Sequence, residues 1–229
     1  MADSIVQVRD LARTYQQGQI EVHALRGVSL DIAPGEFTAL MGPSGSGKTT
    51  LLNQIGALDT PTTGSVLIDG QELVGMDKVA RSNLRLNRIG FVFQAYNLIP
   101  VLTAFENAEF VLMMRGIGPA ERKERVMRTL AAVGLEGMEH RLPSELSGGQ
   151  QQRVAVARAI VGEPALVLAD EPTANLDSKT GDDLLDLMKS LNQEQGITFV
   201  FATHDPKVMQ AAQRVVTLVD GKISEDRVK

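Results

Sequence analysis

Apolar and polar residues alternate with a period of two over residues 5–9 and 28–32, bounded by Gly27 and by Pro34-Gly35. This pattern predicts half-exposed antiparallel strands, and residues 66–68, between Gly64 and Gly70, belong with them. Residues 37–41, 166–169, 198–202 and 215–219 are instead near-continuous apolar runs, which predict strands buried on both faces of a parallel sheet; 89–93 is read as a further strand. Between the runs the period changes to that of a helix. Met127, Leu130 and Val133 share one face of a stretch that opens at Pro119 and closes at Gly134, and Leu184, Leu187, Met188 and Leu191 repeat the same spacing. Strands alternating with helices predict a doubly wound α/β core. Residues 96–161 break the alternation, helix following helix, and read as an inserted helical subdomain.

Composition narrows the setting. The 229 residues hold 43% apolar and 22% charged positions, as in ordinary globular domains, with no repeat and no low-complexity tract. There is no cysteine, which removes disulfides, thiolate nucleophiles and cysteine-ligated metal sites and suits a reducing compartment. A net charge of -5 without a block of like charges argues against nucleic acid as a partner. Apolar runs are far shorter than the roughly 18 residues of a membrane span, and the first residues lack a basic and apolar leader, so a cytoplasmic location is expected.

Three segments carry chemistry. Gly42-Pro43-Ser44-Gly45-Ser46-Gly47-Lys48-Thr49 fits the phosphate-loop (Walker A) pattern, between a buried strand and a helix that contains Leu51, Leu52 and Ile55, and with Thr50 it is the expected nucleotide-binding segment. Glycines let successive N–H groups face one concavity, the helix N-terminus adds positive potential, Lys48 reaches outer phosphates and Thr49 offers a hydroxyl to Mg²⁺. Asp170 and Glu171 end a buried strand, where ligands of open α/β sheets bind; this Walker B arrangement assigns Asp170 to the metal and Glu171 to general-base catalysis. Leu146-Ser147-Gly148-Gly149-Gln150 is a second glycine-rich helix start, with Ser147 as N-cap; it reads either as another phosphate site or as a capped helix.

Together, in this order and spacing, these segments and His204 resemble the nucleotide-binding subunits of ABC transporters, over Tyr15 to Asp220. The resemblance implies a P-loop NTPase (RecA-like) core with an antiparallel β subdomain over 1–95 and 162–229, and a helical signature subdomain over 96–161, in one ATPase domain of 1–229. It implies ATP and Mg²⁺, with Tyr15 stacking on adenine, Gln94 contacting the metal or water and linking the site to the helical subdomain, and His204 contacting the γ-phosphate. Ser147, Gly148, Gly149 and Gln150 would act on ATP held by a second copy, and Asn175, Leu176 and Asp177 would form the D-loop at that interface. At position 174, where close relatives often carry Gly, this chain has Ala174.

Leu58 to Gly64, Asn97 to Pro100 with Thr103 to Asn107, and Ala169 to Asp177 resemble the subgroup of macrolide exporters, lipoprotein-release systems and the cell-division ATPase. The implied protein is a peripheral ATPase on the inner face of the cell membrane that powers efflux, lipoprotein release or mechanotransmission. An integral permease or mechanotransmission subunit would dock near residues 94–105, where Tyr96, Leu98, Ile99, Leu102 and Phe105 form an apolar cluster. The competing expectations are a soluble ABC-type ATPase and a nucleotide-gated regulator without transport. His23 and His140 match no motif and are read as surface residues. No guanine-reading Asn-Lys-x-Asp sequence occurs.

Overall fold

The computed structural model describes residues 4–229. Its first element is a long hairpin, β1 (Val6–Gln17) with β2 (Ile20–Ile32), followed by β3 (Phe37–Met41), α1 (Lys48–Ile55), β4 (Thr63–Ile68) and β5 (Gln71–Glu72). Then come α2 (Lys78–Arg88), β6 (Ile89–Phe93), α3 (Ala104–Met114), α4 (Pro119–Ala132) and α5 (Gly148–Ile160). The remainder alternates: β7 (Leu166–Asp170), α6 (Ser178–Gln195), β8 (Thr198–Ala202), α7 (Pro206–Ala211), β9 (Arg214–Val219) and β10 (Lys222–Val228).

Two sheets form. One is antiparallel, in the order β2-β1-β4-β5; the other runs β10-β9-β3-β8-β7-β6, with β9, β3, β8, β7 and β6 parallel and β10 an antiparallel edge. The parallel strands are apolar on both faces because each face meets a different core. Phe37, Ala39, Val167, Ala169, Phe199 and Phe201 face the cluster shared with α3 to α7. Their neighbours Leu40, Leu166, Leu168, Val200 and Ala202 face α1 and the antiparallel sheet. The period-two side-chain alternation of a strand thus divides continuous apolar runs between two cores.

The helices start where their caps lie. Thr103 accepts from the Glu106 N–H while Glu106 Oε2 accepts from the Thr103 N–H, a capping box that starts α3. Buried Asn107 then ties the preceding loop to α3: its amide donates to the Ile99, Leu102 and Thr103 carbonyls and its oxygen accepts from the Ile99 N–H. Leu98 and Phe105, from the apolar cluster after Gln94, pack against the core rather than standing free. At its other end α5 lies directly on β6, where a Cβ on Gly90 would strike the Ala159 carbonyl. Among the described residues no helix is long and apolar enough to cross a membrane.

Candidate nucleotide site

The loop between β3 and α1 is held from two distant parts of the chain. In the β1–β2 hairpin the register slips between Arg13↔Leu25 and Thr14↔His23, leaving Ala24 as an extra residue on β2. The Ala24 carbonyl turns toward Gly47 and Gly221, and a Cβ would come within 2.7 Å of it at Gly47 and 2.8 Å at Gly221. Both glycines also have positive φ, 104° and 77°, so the close approach and the backbone conformation exclude a side chain at each position. The Gly221 N–H donates to the Ser46 carbonyl and its own carbonyl accepts from the Arg26 N–H. The phosphate loop is therefore clamped between the N-terminal hairpin and the β9–β10 turn.

Lys48 opens α1 and is buried; its Nζ donates to the Gly42 carbonyl at 2.7 Å and the Pro43 carbonyl at 3.0 Å. The ammonium is thus held by the loop whose N–H groups it accompanies. Next to it the Thr49 hydroxyl donates to Asp170 Oδ1 at 3.3 Å. Burial pushes the Asp170 carboxyl above the ordinary aspartate range; the nearby Glu171 charge adds to this, while the Thr49 bond and Lys48 oppose it. A cation bound between Thr49 and Asp170 would relieve that strain on the charged form. A hydroxyl and a carboxylate are the hard oxygen donors that Mg²⁺ prefers. Among the described residues no group of three or more His, Cys, Asp or Glu could hold a metal by itself.

Glu171 follows Asp170 with φ of 46°, a left-handed conformation at the end of β7. The chain turns sharply there, and the turn is fixed by the Glu171 N–H donating to the Ala202 carbonyl. Its side chain has two partners: the Thr203 hydroxyl donates to Oε2 at 2.9 Å, and His204 Nδ1 lies 2.6 Å from Oε1. Gln94, just past β6, pairs reciprocally with Asn175. Its Nε2 donates to Asn175 Oδ1 at 3.2 Å, and Asn175 Nδ2 donates to the Gln94 carbonyl at 3.0 Å.

One cavity of about 700 Å³ collects Tyr15, residues 44–50, Gln94, Glu171 and His204. Asp170, Gly42 and Pro43 do not line the cavity; Asp170 is joined to it by the bond from Thr49, and the Gly42 and Pro43 carbonyls accept from Lys48. Val22, His23, Ala24 and Ala174 also line the cavity. His23 is exposed as expected of a surface residue, yet the long hairpin bends over the loop and brings it to the site. No local pattern signals this, because the contact depends on the bulge at Ala24. Ser147 to Gln150 do not line the cavity. Ser147 caps α5, with its Oγ accepting from the Gln150 N–H and its N–H donating to Gln150 Oε1. A Cβ on Gly149 would strike the Thr180 methyl, and one on Gly148 would meet the Tyr96 hydroxyl at 2.9 Å. Asn175, Leu176 and Asp177 lead into α6, with Asp177 as its N-cap.

A model of the ABC transporter family matches residues 25–174. The chain belongs to that family. This ABC cassette is 45% identical over 226 residues to the uncharacterized ABC transporter ATP-binding protein MJ0796 of Methanocaldococcus jannaschii, covering 97% of this chain and 96% of that one. It is 47% identical over 224 residues to a macrolide export ATP-binding/permease protein MacB of Syntrophobacter fumaroxidans, covering 97% of this chain but only 31% of that larger protein. Among solved structures, the dimeric post-hydrolysis state of the MJ0796 cassette bound to ADP and Pi superposes with a TM-score of 0.89 at 44% identity, covering 97% and 98% of the two chains. The α/β cassette fold is thus that of the family, and the protein is an ABC-type ATPase.

Proposed function

We propose that this cassette hydrolyses Mg-ATP as a homodimer and drives an integral membrane partner in efflux, lipoprotein release or mechanotransmission. The carrying observation is the single cavity that gathers residues 44–50 with Gln94, Glu171 and His204 while leaving out Ser147 to Gln150. In this reading the P-loop N–H groups and Lys48 hold the β- and γ-phosphates, and Thr49, Asp170 and Gln94 hold the metal. When bound there, Mg²⁺ neutralises the charge that develops on the phosphates. Glu171 orients and deprotonates the attacking water, with Thr203 fixing one carboxylate oxygen and His204 standing beside the other. His204 then serves as a donor toward the γ-phosphate. Ser147, Gly148 and Gly149 supply donors from the second copy, and Asn175, Leu176 and Asp177 cross between copies. The Gln94–Asn175 pair connects the metal ligand to that crossing.

The division at 96–161 separates a helical subdomain that relays nucleotide state to the membrane partner. Docking of that partner is read at residues 94–105, and a groove of about 420 Å³ between α2, β6, α3 and α5, lined by Phe91, Asn97, Val111 and Arg115 among others, supports it. It lies beside residues 94–105 and shares Asn97 with them. Exposed Phe110, Met113 and Met114 on α3 extend the apolar surface near it. The protein would then reside peripherally on the inner face of the membrane.

The test is Glu171→Gln on the full chain. ATP binding should persist, steady-state turnover should fall about 10²- to 10⁴-fold, and ATP should accumulate a dimer by size-exclusion chromatography. Near-normal hydrolysis by this variant would overturn the assignment of the base.

A further inference from the structure

Arg13 and Tyr15 lie two residues apart on β1, so their side chains share one face of the strand. The Arg13 guanidinium carbon sits 4.4 Å from the centroid of the Tyr15 ring, over its face. Tyr15 lines the nucleotide cavity and Arg13 does not, so the guanidinium stacks on the ring without itself lining the cavity. One carboxylate holds both residues. Asp59 Oδ2 accepts from the Tyr15 hydroxyl at 2.7 Å and lies 2.8 Å from Arg13 Nε, an ionic contact off the line of that N–H. The same oxygen accepts from Gln54 Nε2 at 3.1 Å, and Asp59 Oδ1 accepts from the Thr60 N–H at 2.7 Å. Gln54 is buried on α1, the helix whose first turn carries Lys48 and Thr49. Burial, reinforced by the bond to Asp59, pushes the Tyr15 phenol above its ordinary range, so the hydroxyl remains a donor to the carboxylate.

We propose that Arg13 and Asp59 are positioning residues for the nucleotide base: Asp59 locks the Tyr15 ring to the C-terminal part of α1, and Arg13 covers one of its faces, leaving the other as a rigid face for an aromatic base. This rests on the reading that Tyr15 stacks on the base. Rigidity matters because a ring already fixed in orientation loses little conformational freedom on stacking. The guanidinium over the ring also attracts its π electrons. Base recognition and phosphate recognition then share one scaffold, α1, with the phosphates at its first turn and the Asp59 anchor near its last.

The experiment separates base from phosphate by titrating the full-length protein with Mg-ATP and, in parallel, with Mg-tripolyphosphate, which has no base or ribose. Asp59→Ala, Tyr15→Phe and Arg13→Leu should each weaken ATP by about 3- to 10-fold while leaving tripolyphosphate unchanged. Tyr15→Ala should weaken ATP further, and adding Asp59→Ala to it should cost nothing more. If Asp59→Ala weakens both ligands equally, or if Asp59→Ala and Tyr15→Phe leave the ratio of the two affinities intact while Tyr15→Ala lowers it, the positioning role is wrong and base stacking stands. If Tyr15→Ala itself leaves the ratio intact, base stacking fails and the proposal falls with it. Should Asp59→Ala not fold, Tyr15→Phe removes the same hydrogen bond from the other side and decides the matter.

Discussion

Thr203 donates its hydroxyl to Glu171 Oε2 at 2.9 Å, and Thr203 is fully buried while Glu171 borders the cavity. The two residues directly follow the paired ends of adjacent parallel strands, Ala202 of β8 and Asp170 of β7, so sheet pairing itself sets their separation. His204, the other partner of Glu171, is three-quarters exposed at its side chain and free to turn toward a ligand. Thr203 has no such freedom, since its oxygen also accepts from the Asp205 N–H at 3.0 Å.

Thr203→Val keeps the volume and removes the hydroxyl, so the carboxylate loses its fixed partner. Turnover should fall about tenfold with ATP affinity unchanged, and Thr203→Ser should restore most of it. Steady-state hydrolysis alongside equilibrium nucleotide titration measures both quantities. Equal losses in affinity and turnover would place Thr203 in folding rather than in catalysis.

Lys48→Ala removes the buried ammonium that the Gly42 and Pro43 carbonyls hold. In the proposed reading Lys48 makes charge-assisted bonds to phosphate, so ATP affinity should drop by about 10- to 100-fold. Calorimetric titration checks it. Unchanged affinity would refute the assignment of the phosphate loop.

Gly90→Ala forces a methyl into the Ala159 carbonyl at the contact of β6 with α5. Backbone on both sides has little room to yield, and overpacking of this kind costs about 1–3 kcal/mol. For a domain of this size the Tm should fall by roughly 2–10 °C, readable by calorimetry. An unchanged Tm would mean that α5 is not seated tightly on the sheet.

Thr103→Ala deletes the N-cap of α3 and should cost about 1 kcal/mol in urea unfolding. It should also alter the acid response. The Thr103 N–H and hydroxyl hold the Glu106 carboxyl below its ordinary range. A depressed carboxyl contributes stability above the unfolded-state value and loses it as pH falls through the lower folded-state value. Stability measured from neutral pH down through the carboxylate range should therefore decline less steeply in the variant than in the wild type.

The legible parts of the fold were those with strong local periodicity. Residues 37–41 and 198–202 coincide with β3 and β8, because strands buried on both faces must be apolar throughout. Pro119 at the first turn of α4 and Asp177 before α6 mark helix starts through local chemistry alone. Three elements carried little signal. Only Leu84 of α2 is buried, so that helix has almost no apolar stripe to read. No residue of β10 is buried, which fits an edge strand defined by pairing with β9. The first hairpin runs well beyond residues 5–9 and 28–32 because its outer half is mostly polar and covers the phosphate loop instead of a core. In the candidate site, the glycine-rich loop and the paired carboxylates are contiguous in sequence, whereas the partnership of Arg13 and Tyr15 with Asp59 joins residues more than forty positions apart and appears only after folding.

The clamp of Ala24 against Gly47 and Gly221 also sets a timetable for synthesis. Gly221 donates to Ser46 and accepts from Arg26, so the phosphate loop lacks one of its two walls until residue 221 has left the ribosome. At about 5–20 residues per second, the interval between the emergence of Gly47 and Gly221 is on the order of ten to thirty seconds. Throughout that interval a nascent chain has the whole P-loop sequence but not its finished shape. The contacts of Gly221 with Ser46 and Arg26 therefore form late, when the strands that support the rest of the site are already out.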